Sequence, residues 1–239
     1  MQRFYIQDIK LGEDFSLKKA HEIYHQLTKV LRSLAGDKVI FFDGEDLIDF
    51  DYEISYISGS ELVFKYIGKT EKNSENSFGL SLYQAMPSKL SKLEYIVQKG
   101  VETGYAKFVF FKSERSQKLV LSDKKIERLQ KIIIEAAEQS ERNRIPKLVI
   151  QDKASFPEGR DGNLNIVFHT ADQNSSALKD INLGIQNINI FVGPEGGFST
   201  AEAERFESLG YKKSYLGDRI LRCETVSSVV GFFISQSLS

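Results

Sequence analysis

The chain has 239 residues, 41% hydrophobic and 27% charged with a formal net charge of −1, a balance that excludes a disordered or low-complexity protein and leaves room for one or two domains. A single cysteine, Cys223, excludes an intrachain disulfide, and three histidines without zinc-site spacing argue against a metal. No apolar run approaches the ~20 residues that span a bilayer, and the start MQRFYIQDIK lacks the apolar stretch of a secretory signal, so a cytoplasmic location is expected.

Residues 1–70 read as short strands, because DKVIFFDGEDLIDFDYEISYISGSELVFKYIG alternates apolar and polar residues around turns at Asp43-Gly44 and Ser58-Gly59. A small β-barrel is expected, interrupted by one helical piece near His21 to Leu34. The polar stretch KTEKNSENS then reads as a linker, which divides the chain into domains at 1–70 and 78–239 with 71–77 between them. From Phe78 the pattern changes to strands alternating with amphipathic helices, the signature of a mostly parallel α/β sheet. The spacing predicts a strand FGLSLYQA and a helix from about Ser88 along Leu90, Leu93, Ile96, Val97 and Val101, closed by Gly104. KFVFF is the next strand, and Ser122 can cap a helix whose stripe runs from Ile126 to Ala137. After Pro146 come strands KLVI, LNIVFH and INIFV. A closing helix carries Val226, Val229, Val230, Phe233 and Ile234 on one expected face.

One Pro and three Gly fall within GPEGG, Gly193 to Gly197, between the buried strand INIFV and a helix opened by the capping box Ser199 and Glu202. A Gly-rich strand-to-helix turn at the carboxyl edge of an α/β sheet is a usual place for a ligand, although a tight turn with no ligand has the same composition. The stretch contains neither GxGxxG nor a phosphate-loop Gly-Lys-Ser/Thr, which removes support for dinucleotides and triphosphates. In LGDRILRCETVSS, Arg219, Arg222, Glu224 and Thr225 crowd the entry to an apolar helix; capping explains Glu224 and Thr225 but not both arginines. Residues 71–160 hold 17 basic against 12 acidic residues, among them EAAEQSERNRIP and KSERS, so a groove for a polyanion and a solvated surface both remain open.

Taken together, HQLTKVLRSLAGDKVIFFDG, KLSKLEYIVQKGVETG with KSERS, IIIEAAEQSERNRIP and GPEGGFSTAEAERF with LGDRILRCETV resemble the bacterial 16S ribosomal RNA uridine-N3 methyltransferases of the SPOUT superfamily. The resemblance covers nearly the whole chain. Cys223 stands where that family usually has Thr, Val226 where it usually has Ala, and KGVETGYAKF varies its KATELGV form. The resemblance implies an α/β fold: a small PUA-like β-barrel for RNA, followed by a mostly parallel, trefoil-knotted SPOUT methyltransferase domain. It also implies S-adenosylmethionine as cofactor, a homodimer, and 16S ribosomal RNA or the 30S subunit as partner, with no metal and no membrane. Carried over residue by residue, the cofactor loops are His169 and Thr170; Val192, Gly193, Pro194, Glu195, Gly196 and Gly197; and Leu216, Gly217, Ile220, Leu221 and Thr225. Arg222 and Glu224 are the implied catalytic pair. Arg3, Arg32, Arg115, Arg142, Arg144 and Arg219 are the implied RNA contacts. A SPOUT methyltransferase acting on another RNA, and a silent RNA-binding ribosome-assembly protein of the same fold, are the alternatives.

Overall fold

The computed structural model describes residues 1–152, 156–157, 162–169, 175–184 and 187–238. Contacts divide the chain into two units: Met1–Glu75 with Ala137–Ile145, and Asn76–Ala136 with the chain from Pro146 onward. Residues 137–145, expected in the second domain, thus pack with the first.

The first unit is a five-stranded mixed sheet of β1 (Gln2–Tyr5), β2 (Phe15–Lys18), β3 (Lys38–Phe42), β4 (Ile48–Ile57) and β5 (Glu61–Glu71). Its order is β1-β3-β4-β5-β2, with β1 parallel to β3 and the other pairs antiparallel. The period-2 alternation of these strands sends Phe4, Phe41, Tyr52 and Phe64 to one core, where the Phe15 ring stacks on Phe64 and meets Phe41 and Tyr52 edge-on. The expected helix to Leu34 is cut short. Helix α1 spans only Glu22–His25, a π-turn follows over Gln26–Val30, and Arg32 takes a left-handed φ of 54°. A helix continued through this stretch would have little to bury, since Val30, Leu31 and Leu34 are all exposed.

Two arginines expected at an RNA surface lie inside this unit instead. Arg3 and Arg142 are 7% and 4% exposed. The Arg3 guanidinium reaches Asp49 at 2.7 Å, donates to the Arg142 carbonyl at 2.6 Å, and lies 3.9 Å over the Phe42 ring. Arg142 pairs with Glu75 at 2.5 Å, and the Asn143 amide donates to Asp49 at 2.7 Å. Buried charges persist only when paired and hydrogen-bonded, so these guanidinium groups hold 137–145 onto the sheet rather than face a polyanion.

Among the described residues the second unit carries seven strands: β6 (Gly79–Ala85), β7 (Lys107–Phe111), β8 (Lys147–Gln151), β9 (Leu164–Phe168), β10 (Ser176–Ala177), β11 (Asn187–Val192) and β12 (Lys212–Tyr215). Their order is β10-β12-β9-β11-β6-β7-β8, and every ladder is parallel. The helices are α2 (Leu90–Glu102), α3 (Asp123–Gln139, of which the last three residues belong to the first unit), α4 (Thr200–Ser208) and α5 (Cys223–Ser237). Gly104 takes the expected positive φ of 94° after α2. Strand β12 was not foreseen: its sequence KKSY lacks the apolar composition of its neighbours.

The buried face of α5 differs from the expected stripe. Val230 and Ile234 are buried, but beside them runs a row of small residues, Ser227, Gly231 and Ser235, at four-residue spacing, while Val229 and Phe232 face outward at 43% and 60% exposure. Close approach explains the shift. A Cβ on Gly231 would stand 2.5 Å from the Tyr105 ring and 2.6 Å from the Thr103 hydroxyl, the Tyr105 hydroxyl donates to the Ser227 carbonyl at 3.0 Å, and Ser235 donates to the Thr103 carbonyl at 2.8 Å. Small residues let the helix settle onto these groups. Gly231→Ala should therefore lower stability by roughly 1–3 kcal/mol through overpacking; an unchanged thermal midpoint would refute this packing.

Candidate functional site

Three neighbours in the parallel sheet, β11, β9 and β12, all release their chains at the same edge. The segments that leave them, residues 193–199, His169 and 216–222, surround a cavity of about 920 Å³. The parallel register does what sequence distance hides: it brings together loops that lie 20–50 residues apart in the chain.

The GPEGG turn is built by its own backbone. Gly197 adopts a φ of 67°, and its N–H closes onto the Pro194 carbonyl at 2.9 Å. A Cβ on Gly193 would stand 3.1 Å from Gly197 Cα and 3.2 Å from the Phe198 nitrogen, because the chain folds back on itself. Gly196 meets no such conflict, since a Cβ there would only reach ordinary contact with Arg115 at 3.5 Å. Arg115 also donates to the Gly196 carbonyl at 3.0 Å. Behind the turn, Ser199 and Glu202 form the predicted capping box, at 3.1 Å and 2.8 Å, and start α4 at Thr200.

One buried amide organises the back of the site. Gln84, at the end of β6, donates to the carbonyls of Gly193 at 3.0 Å and Ala85 at 2.9 Å and accepts from the Ser227 hydroxyl at 2.9 Å. It ties the turn to α5. A glutamine at a strand end carries no sequence signal, which is why it was missed.

The wall, among the described residues, includes His169, Val192 to Phe198, Leu216 to Cys223 and Val226. Lys92, Arg115 and Phe168 also line it. Glu224 and Thr225 do not, because helical geometry puts Cys223 and Val226 on the cavity side and turns the two residues between them away. Arg222, exposed on the wall, is the residue before α5, and its carbonyl accepts the N–H groups of Thr225 and Val226. Thr170 lies outside the described residues. The two remaining arginines of the expected set, Arg32 and Arg144, are exposed in the first unit.

Carboxylates at the site are tied up by neighbours. Glu195 accepts from the Ser88 hydroxyl at 2.6 Å and the Ser88 N–H at 3.0 Å, and pairs with Lys92 at 2.9 Å. Burial opposes its ionisation, but these donors outweigh it and bring the carboxyl down to about 2. Glu224 accepts from the Cys223 thiol at 3.2 Å and lies 3.5 Å from Lys92. Burial again opposes, while its own backbone N–H, the thiol and Lys92 hold it below the usual range. Burial, with the Glu224 partner, pushes the Cys223 thiol up to about 12, which makes it an inert wall group. Glu224, expected as catalytic, is held by the Cys223 thiol and Lys92, both of which line the cavity. Lys92 was not foreseen, since a lone lysine in an amphipathic helix reads as solvated.

The model for a family described as RNA methyltransferase domain matches residues 74–234. A relative in Buchnera aphidicola (subsp. Acyrthosiphon pisum), named ribosomal RNA small subunit methyltransferase E, is 32% identical over 233 residues, covering 95% of this chain and 90% of that protein. The chain belongs to this family of ribosomal RNA methyltransferases. A Bacillus subtilis member is also 32% identical, with 94% and 92% covered. The solved Neisseria gonorrhoeae member, bound to S-adenosylmethionine, superposes with a TM-score of 0.85 at 25% identity over 99% of this chain and 98% of its own. A Legionella pneumophila methyltransferase, also solved with the cofactor, gives 0.86 at 26% identity, with 98% and 97% covered.

The residues present fit that cofactor. Of the three motif glycines only Gly196 lacks a reason within the chain to be bare, and it lies on the cavity wall. S-adenosylmethionine is accordingly the cofactor this family member uses. Gly196→Ala is expected to fold normally and to weaken cofactor binding by roughly tenfold, read by calorimetry, whereas Gly193→Ala is expected to lower the thermal midpoint. The opposite pattern would reverse these roles. The Glu195 carboxyl falls from 4.5 to about 2 on folding, so it stabilises the fold above pH ~4.5 and loses that contribution as pH drops toward 2. Glu195→Gln should flatten the acid side of a thermal midpoint-versus-pH curve; an unchanged acid limb would contradict the pairing.

Proposed function

We propose that the protein transfers a methyl group from S-adenosylmethionine to N3 of a uridine in 16S ribosomal RNA, working in the cytoplasm as a homodimer. The observation that carries this reading is the cavity at the ends of β9, β11 and β12, walled by GPEGG and LGDRILRC, in a chain whose solved relative holds that cofactor.

In this reading the first unit is the PUA-like, RNA-binding barrel, supported by its mixed sheet and aromatic core. The second is a trefoil-knotted SPOUT domain, supported by a strand order in which β11 lies between the earlier β9 and β6. Tyr95 on α2, at 45% exposure, with Val229 and Phe232 on α5, supplies apolar surface suited to pairing with a second copy. Among the described residues no helix is long and apolar enough to cross a membrane, and no cluster of ligating side chains could hold a metal.

When bound, the cofactor supplies an already activated methyl on its sulfonium. The chain's work is to orient it and to make the N3 position nucleophilic. Val192 to Gly197 and Leu216 to Leu221 form the binding walls, with His169 beside them. The Arg222 guanidinium, exposed on the wall, stabilises the uracil anion left when the N3 proton passes to solvent water. Because N3 is a pairing edge, the acceptor uridine must be unpaired or flipped out. Arg32 and Arg144 on the first unit, and Arg115 and Arg219 on the second, are the RNA contacts; Arg3 and Arg142 leave that set because they are buried.

Purified protein with labelled S-adenosylmethionine should methylate 30S particles from a strain lacking this enzyme, and nucleoside mass analysis should find 3-methyluridine. Arg222→Ala should cut the single-turnover rate by roughly 10²-fold. Label on another base or another RNA would overturn the target. Failure to bind the cofactor would favour a silent RNA-binding protein.

A further inference from the structure

We propose that Lys92 is a positioning residue that joins the two cofactor loops through one ammonium group, bound to Glu195 in the GPEGG turn and to Glu224 in the first turn of α5. The proposal rests on reading the cavity as the cofactor site, and it deepens that reading.

Lys92 Nζ lies 2.9 Å from Glu195 Oε1 and 3.5 Å from Glu224 Oε2, with the three side chains between 15% and 30% exposed. It belongs to the first turn of α2, where a cation is disfavoured because the free N–H groups of a helix start carry positive charge. The first turn of α2 has no acidic residue, and Lys89 at its N-cap makes no side-chain capping bond. Glu195, arriving from a turn more than a hundred residues later, stands just before the helix and takes the Ser88 N–H and hydroxyl together with the Lys92 ammonium. The GPEGG turn is thereby docked on the start of α2. On its other side the same ammonium holds Glu224, which the Cys223 thiol also fixes.

Without Lys92, two carboxylates on different loops would share a partly desolvated site with no counter-charge, and their repulsion would part the loops. With it, both walls are set before the cofactor arrives, which removes an ordering cost from binding. Glu195, itself on the cavity wall, is then also a tether for the turn from Gly193 to Gly197.

The test uses full-length Lys92→Met, Lys92→Arg, Glu195→Gln and the double variant Lys92→Met/Glu195→Gln, with three readouts. Amide hydrogen exchange without cofactor should speed up at 193–197 and 223–226 in Lys92→Met and return toward wild type in Lys92→Arg. Calorimetric titration should show a cofactor Kd weakened about tenfold in Lys92→Met, recovered in Lys92→Arg, with the double variant no worse than the worse single one because the two residues act as a unit. Single-turnover rates should place the loss in cofactor KM more than in kcat. Unchanged exchange, or a double variant whose losses add, would overturn the proposal. A fall in kcat with unchanged Kd would also overturn it by placing Lys92 in the chemistry. If wild-type protein bound no cofactor, the cofactor reading would fail, yet exchange would still decide whether Lys92 holds the loops.

Discussion

Parallel pairing of every strand in the second unit is the constraint on which the site depends. A parallel strand must be reached by a crossover, and each strand then ends at the same edge as its neighbours. Because β11, β9 and β12 are adjacent, three segments with no local relation in sequence face one another there. The cavity follows from that arrangement, and the chain needs only short loops to wall it.

Within that frame the glycines of GPEGG divide their work. Gly197 is required by its own φ, Gly193 by the backbone that returns across it, and Gly196 by neither. A dense run of glycine therefore contains positions that serve the fold and one left open to a ligand. Gln84 shows the converse, a polar residue fully inside the protein whose amide spans the turn and α5. Buried amides are costly unless every hydrogen bond is made, so such a group specifies geometry as well as stability.

Charge behaves in the same divided way. Six arginines carried a common expectation of RNA contact, yet Arg3 and Arg142 are sealed against Asp49 and Glu75, while Arg32, Arg115, Arg144 and Arg219 remain exposed. A guanidinium reads identically in sequence in both settings. What separates them is a carboxylate from another element: Asp49 lies 46 positions from Arg3, and Glu75 lies 67 from Arg142. The same holds at the cavity, where Glu195 and Glu224 are claimed by Lys92 and only Arg222 of the expected catalytic pair stays on the wall.

Periodicity and local chemistry determined much of this protein directly. Alternation marked the strands of the first unit, three-and-four spacing marked α2 and α3, and the Ser199–Glu202 box placed the start of α4, because these signals act between residues a turn or a strand apart. The motifs at 193–197 and 216–223 mark two walls of the cavity. Only the tertiary structure decided the rest: the order of the sheet, the small-residue face of α5, the membership of 137–145, and which charges are free. Each of these depends on a partner distant in sequence, such as Tyr105 beneath Gly231 or Ser88 beside Glu195. Local pattern determines what a segment can form, but long-range contact decides which of its faces is covered and which charge has already found its counter-ion.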